Sequence, residues 1–317
     1  MDVVTIGESM VLFTPQSSPR MRYAETYTRK FGGAETNVAI GLARLGHEVG
    51  WISKVGNDEF GKALLSFVRG EAIDVRQVKI DASAPTGIYF KEIRNSEDVR
   101  VEYYRKGSAA SKLEPSDLNE SYLSQATYLH ISGITPALSN SCYEMINKAI
   151  TLAKKHDVTV VFDPNLRRKL WGEERAREVL LDIASKSDII LPGVEEGTFL
   201  FGEENPNKLG NLFLNLGAKT VILKAGAEGA YYFSRYESGF VPAFPIASVV
   251  DPVGAGDGFA AGFISGLLQH RSLKQAVEKG NAVGALVTQV EGDFEGLPDE
   301  DEVQDFINNK ERVDIIR

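Results

Sequence analysis

Six short runs dense in β-branched and apolar residues recur along the chain, at 3–6, 49–55, 128–131, 158–162, 189–191 and 220–223, and helix-like amphipathic stretches separate most of them. This rhythm predicts an α/β fold, a mostly parallel sheet wrapped by helices, with ligand-binding loops gathered at the strand carboxyl ends. Two regions, 11–31 and 85–106, break the rhythm. They lack helical periodicity and carry strand-like pieces such as Thr86-Gly87-Ile88-Tyr89-Phe90 and Val99-Arg100-Val101-Glu102-Tyr103-Tyr104. We expect them to build a small β-layer that projects as a lid over a pocket, where closure excludes water from a reacting group. An ordinary hairpin extension at a sheet edge would read the same way. The chain shows no fixed-period repeat, low-complexity tract or Pro/Ser-rich linker, so one domain over 1–317 is expected.

Composition narrows the function classes. A chain of 317 residues, 43% of them hydrophobic, can bury a large core. Its formal charge of -9 argues against a nucleic-acid partner, which needs a clustered excess of Lys and Arg. Charged residues interrupt every apolar stretch well short of the roughly 20 residues that span a bilayer, so no membrane partner is expected. A single cysteine, Cys142, excludes an internal disulfide framework, and the chain opens on Asp2-Val3-Val4-Thr5-Ile6 without a basic start and apolar secretory core. The cytoplasm is the expected compartment.

The sharpest local pattern is Asp251-Pro252-Val253-Gly254-Ala255-Gly256-Asp257-Gly258, followed by the helix-like Phe259-Ala260-Ala261-Gly262-Phe263-Ile264. The turn therefore sits at a helix amino terminus, where unpaired N–H groups and the positive pole of the helix favour an anion. Glycines let the backbone approach that anion closely. Asp257 is equally placed to cap the helix, and the turn alone leaves both roles open.

With this turn and the distant segment Gly32-Gly33-Ala34-Glu35-Thr36-Asn37-Val38-Ala39, the sequence resembles the ribokinase/PfkB family of sugar kinases along essentially its whole length. The resemblance implies a ribokinase-like three-layer sandwich and ATP and Mg²⁺ as cofactors. It makes Asp257 the base that activates a substrate hydroxyl, and Gly254, Ala255 and Gly256 the anion hole for the transferred phosphoryl group. No Walker-type loop ending in Gly-Lys-Ser/Thr is present to do this instead. The family's Asn-x-x-Glu element appears as Gly193-Val194-Glu195-Glu196, so Glu196 is expected to orient a magnesium-bound water while the Asn is replaced by Gly. Lys224 and the glycines Gly226 and Gly229 resemble the turn beside the ATP phosphates. Asn281, opening the segment 281–287, matches the family's helix along the adenine, although a buried helix capped by Asn would look the same.

The sugar side resembles more narrowly the kinases of 2-keto-3-deoxygluconate, on Tyr103-Tyr104-Arg105-Lys106-Gly107-Ser108-Ala109, Ser132-Gly133-Ile134-Thr135-Pro136 and Asp163-Pro164-Asn165-Leu166-Arg167. A sugar-acid carboxylate needs cationic donors, and the planar fork of arginine suits it. The resemblance gives that task to Arg105 and Arg167, places Tyr89 and Tyr103 on the lid, Gly33, Ala34 and Asn37 on the floor, and Ile134 at one side, with Asp251 also in the substrate set. Fructokinase and nucleoside kinase are the competing kinase readings, and a non-catalytic sugar or nucleotide sensor is the competing class. A homo-oligomer is expected, through pairing of the exposed β-layer across a two-fold axis.

Overall fold

In the computed structural model, which describes residues 1–17, 20–94 and 98–308, each predicted main-sheet run contains a strand. Residues 18–19 and 95–97 of the two predicted lid segments, and 309–317 of the expected domain, lie outside the described residues. The strands are β1 Val3–Ile6, β2 Met10–Pro15, β3 Tyr27–Gly32, β4 Val49–Gly56, β5 Val78–Asp81, β6 Ile88–Ile93, β7 Val99–Tyr104, β8 Tyr128–Ser132, β9 Thr159–Asp163, β10 Ile189–Ile190, β11 Thr220–Lys224, β12 Gly229–Ser234 and β13 Ser238–Pro242.

Nine of these form a sheet in the order β13-β12-β11-β10-β9-β8-β1-β4-β5. Pairing is parallel from β11 across to β5, and the β12–β13 hairpin adds an antiparallel edge. Side chains alternate across such strands, so each strand feeds two cores. Val160 and Phe162 point to one side and Val161 to the other, all fully buried. One side is covered by helices Ala34–Arg44, Ala255–Leu268 and Leu273–Val287, the other by Asn140–Lys155, Glu173–Ser185 and Pro206–Leu216. The result is three layers.

The remaining four strands make a small sheet in the order β3-β2-β6-β7. Tyr89 of β6 lies opposite Tyr103 of β7, and their rings stack at 5.6 Å. Met10, Leu12 and Tyr89 bury one face of this sheet, and the other carries Phe13, Tyr27, Phe90 and Tyr104 in mutual ring contact.

The helix Ala255–Leu268 is apolar around nearly its whole circumference, because it packs between the helices Ala34–Arg44 and Leu273–Val287 within the core. Gly254 caps it with φ +85, and a Cβ there would collide with the Asp293 carbonyl oxygen. Glycine is the residue that meets both conditions.

Candidate active site

Two strand ends and two helix starts bring the charged groups together. Asp163 ends β9 and Lys224 ends β11, while Glu196 and Asp257 lie in the first turns of helices Val194–Phe201 and Ala255–Leu268. They border two adjoining cavities. The first, about 350 Å³, is roofed by the small sheet through Met10, Tyr89, Lys91, Val101 and Tyr103. The second, about 800 Å³, is lined by Lys224, Ala225, Gly226, Glu228 and Tyr231. Glu196, Lys224 and Gly256 belong to both walls, so the cavities meet there.

Asp257 stands on the first cavity near this meeting point. Its Oδ2 accepts a hydrogen bond from Asn37 Nδ2 at 2.8 Å, which is a tertiary contact and not a helix cap. Asn37 is aimed by its own helix, because Glu35 two residues earlier accepts from Ser132 and Thr135 hydroxyls at 2.7 and 3.0 Å. Enclosure away from water pushes the Asp257 carboxyl up to about 7, with Asp163 and Glu35 adding to the rise and Asn37 and Arg167 opposing it. Asn37 Oδ1 has no hydrogen-bond partner among the described residues and lies on the same cavity wall. Close packing also shapes the floor: a Cβ on Gly33 would lie 2.8 Å from Ser9 Cα.

Within the glycine turn, Ala255 N–H donates to the Pro252 carbonyl at 3.4 Å, leaving the amides of Gly254 and Gly256 on the cavity wall for an anion. The Lys224 ammonium adds positive charge close by: a Cβ on Gly256 would be 3.8 Å from its Nζ. Lys224 is held by Asp163 at 2.6 Å. Burial would lower its pKa, but Asp163 and Glu196 outweigh that and keep it charged.

Glu196 is not a solvated helix carboxylate. Its two oxygens accept from Gly193 N–H and Leu166 N–H, both at 2.8 Å, and burial with Asp163 nearby raises its pKa. Those bonds leave lone pairs for water. Among the described residues no three His, Cys, Asp or Glu side chains are gathered into a chelating cluster. The residues present therefore suit a divalent ion only in hydrated form, with Glu196 accepting from its waters, since Mg²⁺ keeps several of them.

Gly33, Ala34, Asn37, Tyr89, Tyr103, Arg105, Ile134 and Arg167 all line the first cavity. Five expectations need correction. Ala255 is not on the cavity wall and its N–H is taken by the Pro252 carbonyl, which removes it from the expected anion hole. Asp251 is fully buried behind the wall, accepting from Lys91 and from the Val253 and Gly292 amides. Gly229 begins β12 and is not on the second cavity's wall, although Lys224 and Gly226 are. Asn281 lies well inside the helix Leu273–Val287 and not at its start, and its amide donates to the Val241 and Pro242 carbonyls of β13. Arg105 and Arg167 are not an equivalent pair. Arg105 is buried, binds Glu8 Oε2 through Nε at 2.7 Å and lies 5.3 Å from the Tyr103 ring centre. Arg167 is exposed and makes no ion pair among the described residues.

Glu8, Lys91, Asp163 and Asp293 were not singled out from the sequence. One signal existed: Lys91 stands inside the apolar strand Ile88-Tyr89-Phe90-Lys91-Glu92-Ile93, on the same side as Tyr89. Asp293 accepts from both, Tyr89 OH at 2.5 Å and Lys91 Nζ at 2.6 Å. The Tyr89 hydroxyl is thus already committed as a donor.

The model of the pfkB family carbohydrate kinases matches residues 1–300. The chain is 40% identical over 315 residues to the 2-dehydro-3-deoxygluconokinase of Bacillus subtilis (strain 168), covering 99% of this chain and 97% of that protein. The crystal structure of the PfkB protein from Polaromonas sp. JS666 superposes with a TM-score of 0.88 at 43% identity, over 96% of this chain and 99% of that one. An E. coli structure in complex with ATP and Mg²⁺ superposes with a TM-score of 0.89 at 29% identity, over 97% of this chain and 99% of that one. With its three layers, its small sheet and its glycine turn ahead of Asp257, the chain belongs to the pfkB family of carbohydrate kinases.

Proposed function

We propose that the chain transfers the terminal phosphoryl group of ATP to the 6-hydroxyl of 2-keto-3-deoxygluconate. The observation that carries this is Asp257: a carboxyl with a pKa of about 7, on the wall of the first cavity, beside the amides of a glycine turn where a second cavity opens. A base poised near the working pH can take a proton without being permanently protonated or too weak. The sugar acid occupies the first cavity. Its hydroxyl proton goes to Asp257 as the oxygen–phosphorus bond forms and the bond to the departing ADP oxygen breaks. The Gly254 and Gly256 amides and Lys224 stabilise the charge on the phosphoryl oxygens. Mg²⁺, when bound, supplies further neutralisation of phosphate charge, held through water by Glu196. The nucleotide lies in the second cavity along Ala225, Gly226 and Tyr231.

Arg167 supports the acid-sugar assignment. The other cations on the first cavity's wall are each bound to a carboxylate, Arg105 to Glu8, Lys91 to Asp251 and Asp293, and Lys224 to Asp163. Arg167 is the cation left to meet a substrate carboxylate among the described residues. The small sheet serves as the lid, and its aromatic outer face, with Tyr104 66% exposed, pairs with a second copy to form a homo-oligomer. A single buried cysteine fits work in the cytoplasm.

The test is ADP release with 2-keto-3-deoxygluconate, its galactonate epimer, fructose, ribose and adenosine. The sugar acids are expected to be phosphorylated best. Preference for fructose would reject the acid-sugar assignment and keep the kinase, and binding without ADP release would assign a sensor.

A further inference from the structure

A charged cluster that none of the steps above uses joins two residues of the first cavity's wall, Lys91 and Asp293, to Asp251 behind it. Lys91 of β6 is 1% exposed and bridges two carboxylates, Asp251 at 2.7 Å and Asp293 at 2.6 Å. Burial works against its charge, and the two carboxylates more than offset this. Asp251 opens the glycine turn. Its Oδ1 accepts from Val253 N–H at 3.0 Å and its Oδ2 from Gly292 N–H at 3.2 Å. The same stretch is braced from the backbone side, where Val250 and Asp251 amides donate to the Thr288 carbonyl at 2.8 and 3.2 Å. Asp293 packs its carbonyl oxygen against Gly254 and also accepts from Tyr89 OH. Two neighbouring residues of one strand face, Tyr89 and Lys91, thus hold both supports of the turn.

Two buried carboxylates side by side repel, and each must be compensated or protonated. Among the described residues the compensating charge is not supplied by the turn, by the loop behind it or by the main sheet. It is supplied by the small sheet. We infer that Lys91 is a positioning residue for the glycine turn, fixing the Gly254 and Gly256 amides in their phosphate-receiving geometry only while the small sheet is seated over the sugar. Substrate enclosure and anion-hole assembly then become one event, so that phosphate is not offered to water when the sugar cavity stands open.

The inference rests on the kinase reading, and the two fail separately: wild-type ADP release tests the reading, and the difference between variants and wild type tests Lys91. Lys91→Met keeps the length and removes the charge. A misplacement of about 1 Å in a reacting group costs on the order of 10²-fold in rate, so kcat should fall about 10- to 100-fold. KM for the sugar acid and for ATP should stay within about threefold of wild type, because neither is bound by the lysine. Asp251→Asn cuts the same bridge at its other end, leaves Lys91 paired with Asp293, and should show the same split. If Lys91→Met does not fold, the Asp251→Asn kinetics alone decide. The double variant should be no slower than the slower single variant, since both remove one connection. A raised sugar KM at unchanged kcat would make Lys91 a sugar ligand and overturn the inference. Unchanged kinetics, or fully multiplicative losses in the double variant, would overturn it as well.

Discussion

Asp257 carries opposed demands, and its pKa of about 7 expresses both. The proposed role as base needs the ionised form, so kcat/KM for the sugar acid should rise with pH through about 7 and level off above it, a profile measurable in buffers of constant ionic strength. Asp257→Asn should lower kcat by about 10²- to 10⁴-fold while ATP still binds. Folding responds with the opposite sign. Because the folded pKa lies above the ordinary 3.8, this group's contribution is fully present below that value and is lost as pH rises through about 7. The ionised base therefore costs stability at pH 8, and the Asn variant, without ligands, should melt higher than wild type there, with a smaller advantage at pH 5 that disappears below the ordinary 3.8. The arginines separate in the same manner. Arg167→Ala should raise KM for the sugar acid roughly 10- to 150-fold, the worth of one charge-assisted hydrogen bond, with little effect on a neutral sugar or on melting. Arg105→Ala strands the buried Glu8 carboxylate and should cost about 3–5 kcal/mol of stability in denaturant titration. Asp257, Asn37 and Arg167 could be singled out in the sequence because they sit in short segments that resemble the family's motifs. Glu8, Lys91 and Asp293 could not, since each is defined by a partner more than ninety residues away, Arg105 for Glu8, Asp251 and Asp293 for Lys91, and Tyr89 for Asp293.

At the scale of elements, the glycine turn is the most constrained piece of backbone in the site. Gly254→Ala would force a side chain into a left-handed conformation costing about 1–2 kcal/mol, and against the Asp293 carbonyl besides. We expect it to lose most turnover and to melt lower. The contrasting change is Gly193→Asn, which puts back the residue common in the family. Its Cβ would be 3.6 Å from Glu196, an ordinary contact, so thermal denaturation should shift by less than about 0.5 kcal/mol. The parallel strands β1, β4, β8, β9, β10 and β11 were readable because strands covered on both faces must be continuously apolar. Edge strands escape that requirement. β5 reads Val78-Lys79-Ile80-Asp81 and β13 reads Ser238-Gly239-Phe240-Val241-Pro242, and both carry residues that interior strands avoid. Asn281 was misplaced for a related reason: an amide that ties a helix to β13 looks like a cap when β13 itself is unseen.

For the whole molecule, the small sheet is at once roof and outer surface. Phe13, Tyr27, Phe90 and Tyr104 form a connected aromatic face, and burying it against a second copy would add apolar contact that a lone roof lacks. Sedimentation should show a dimer or larger assembly, and Tyr104→Lys should shift it toward the monomer with kcat per chain reduced if the roof then seats less well. A monomeric wild type would reject the assembly. The meeting of the two cavities at Glu196, Lys224 and Gly256 has a consequence for chemists. Because the same three residues wall both, a single compound joining a sugar acid to adenosine through a short chain of phosphates should engage both cavities at once. Each end then raises the effective concentration of the other, as in any tethered pair of ligands. Such a compound would owe its selectivity to the shared wall itself, which neither an isolated sugar pocket nor an isolated nucleotide pocket has.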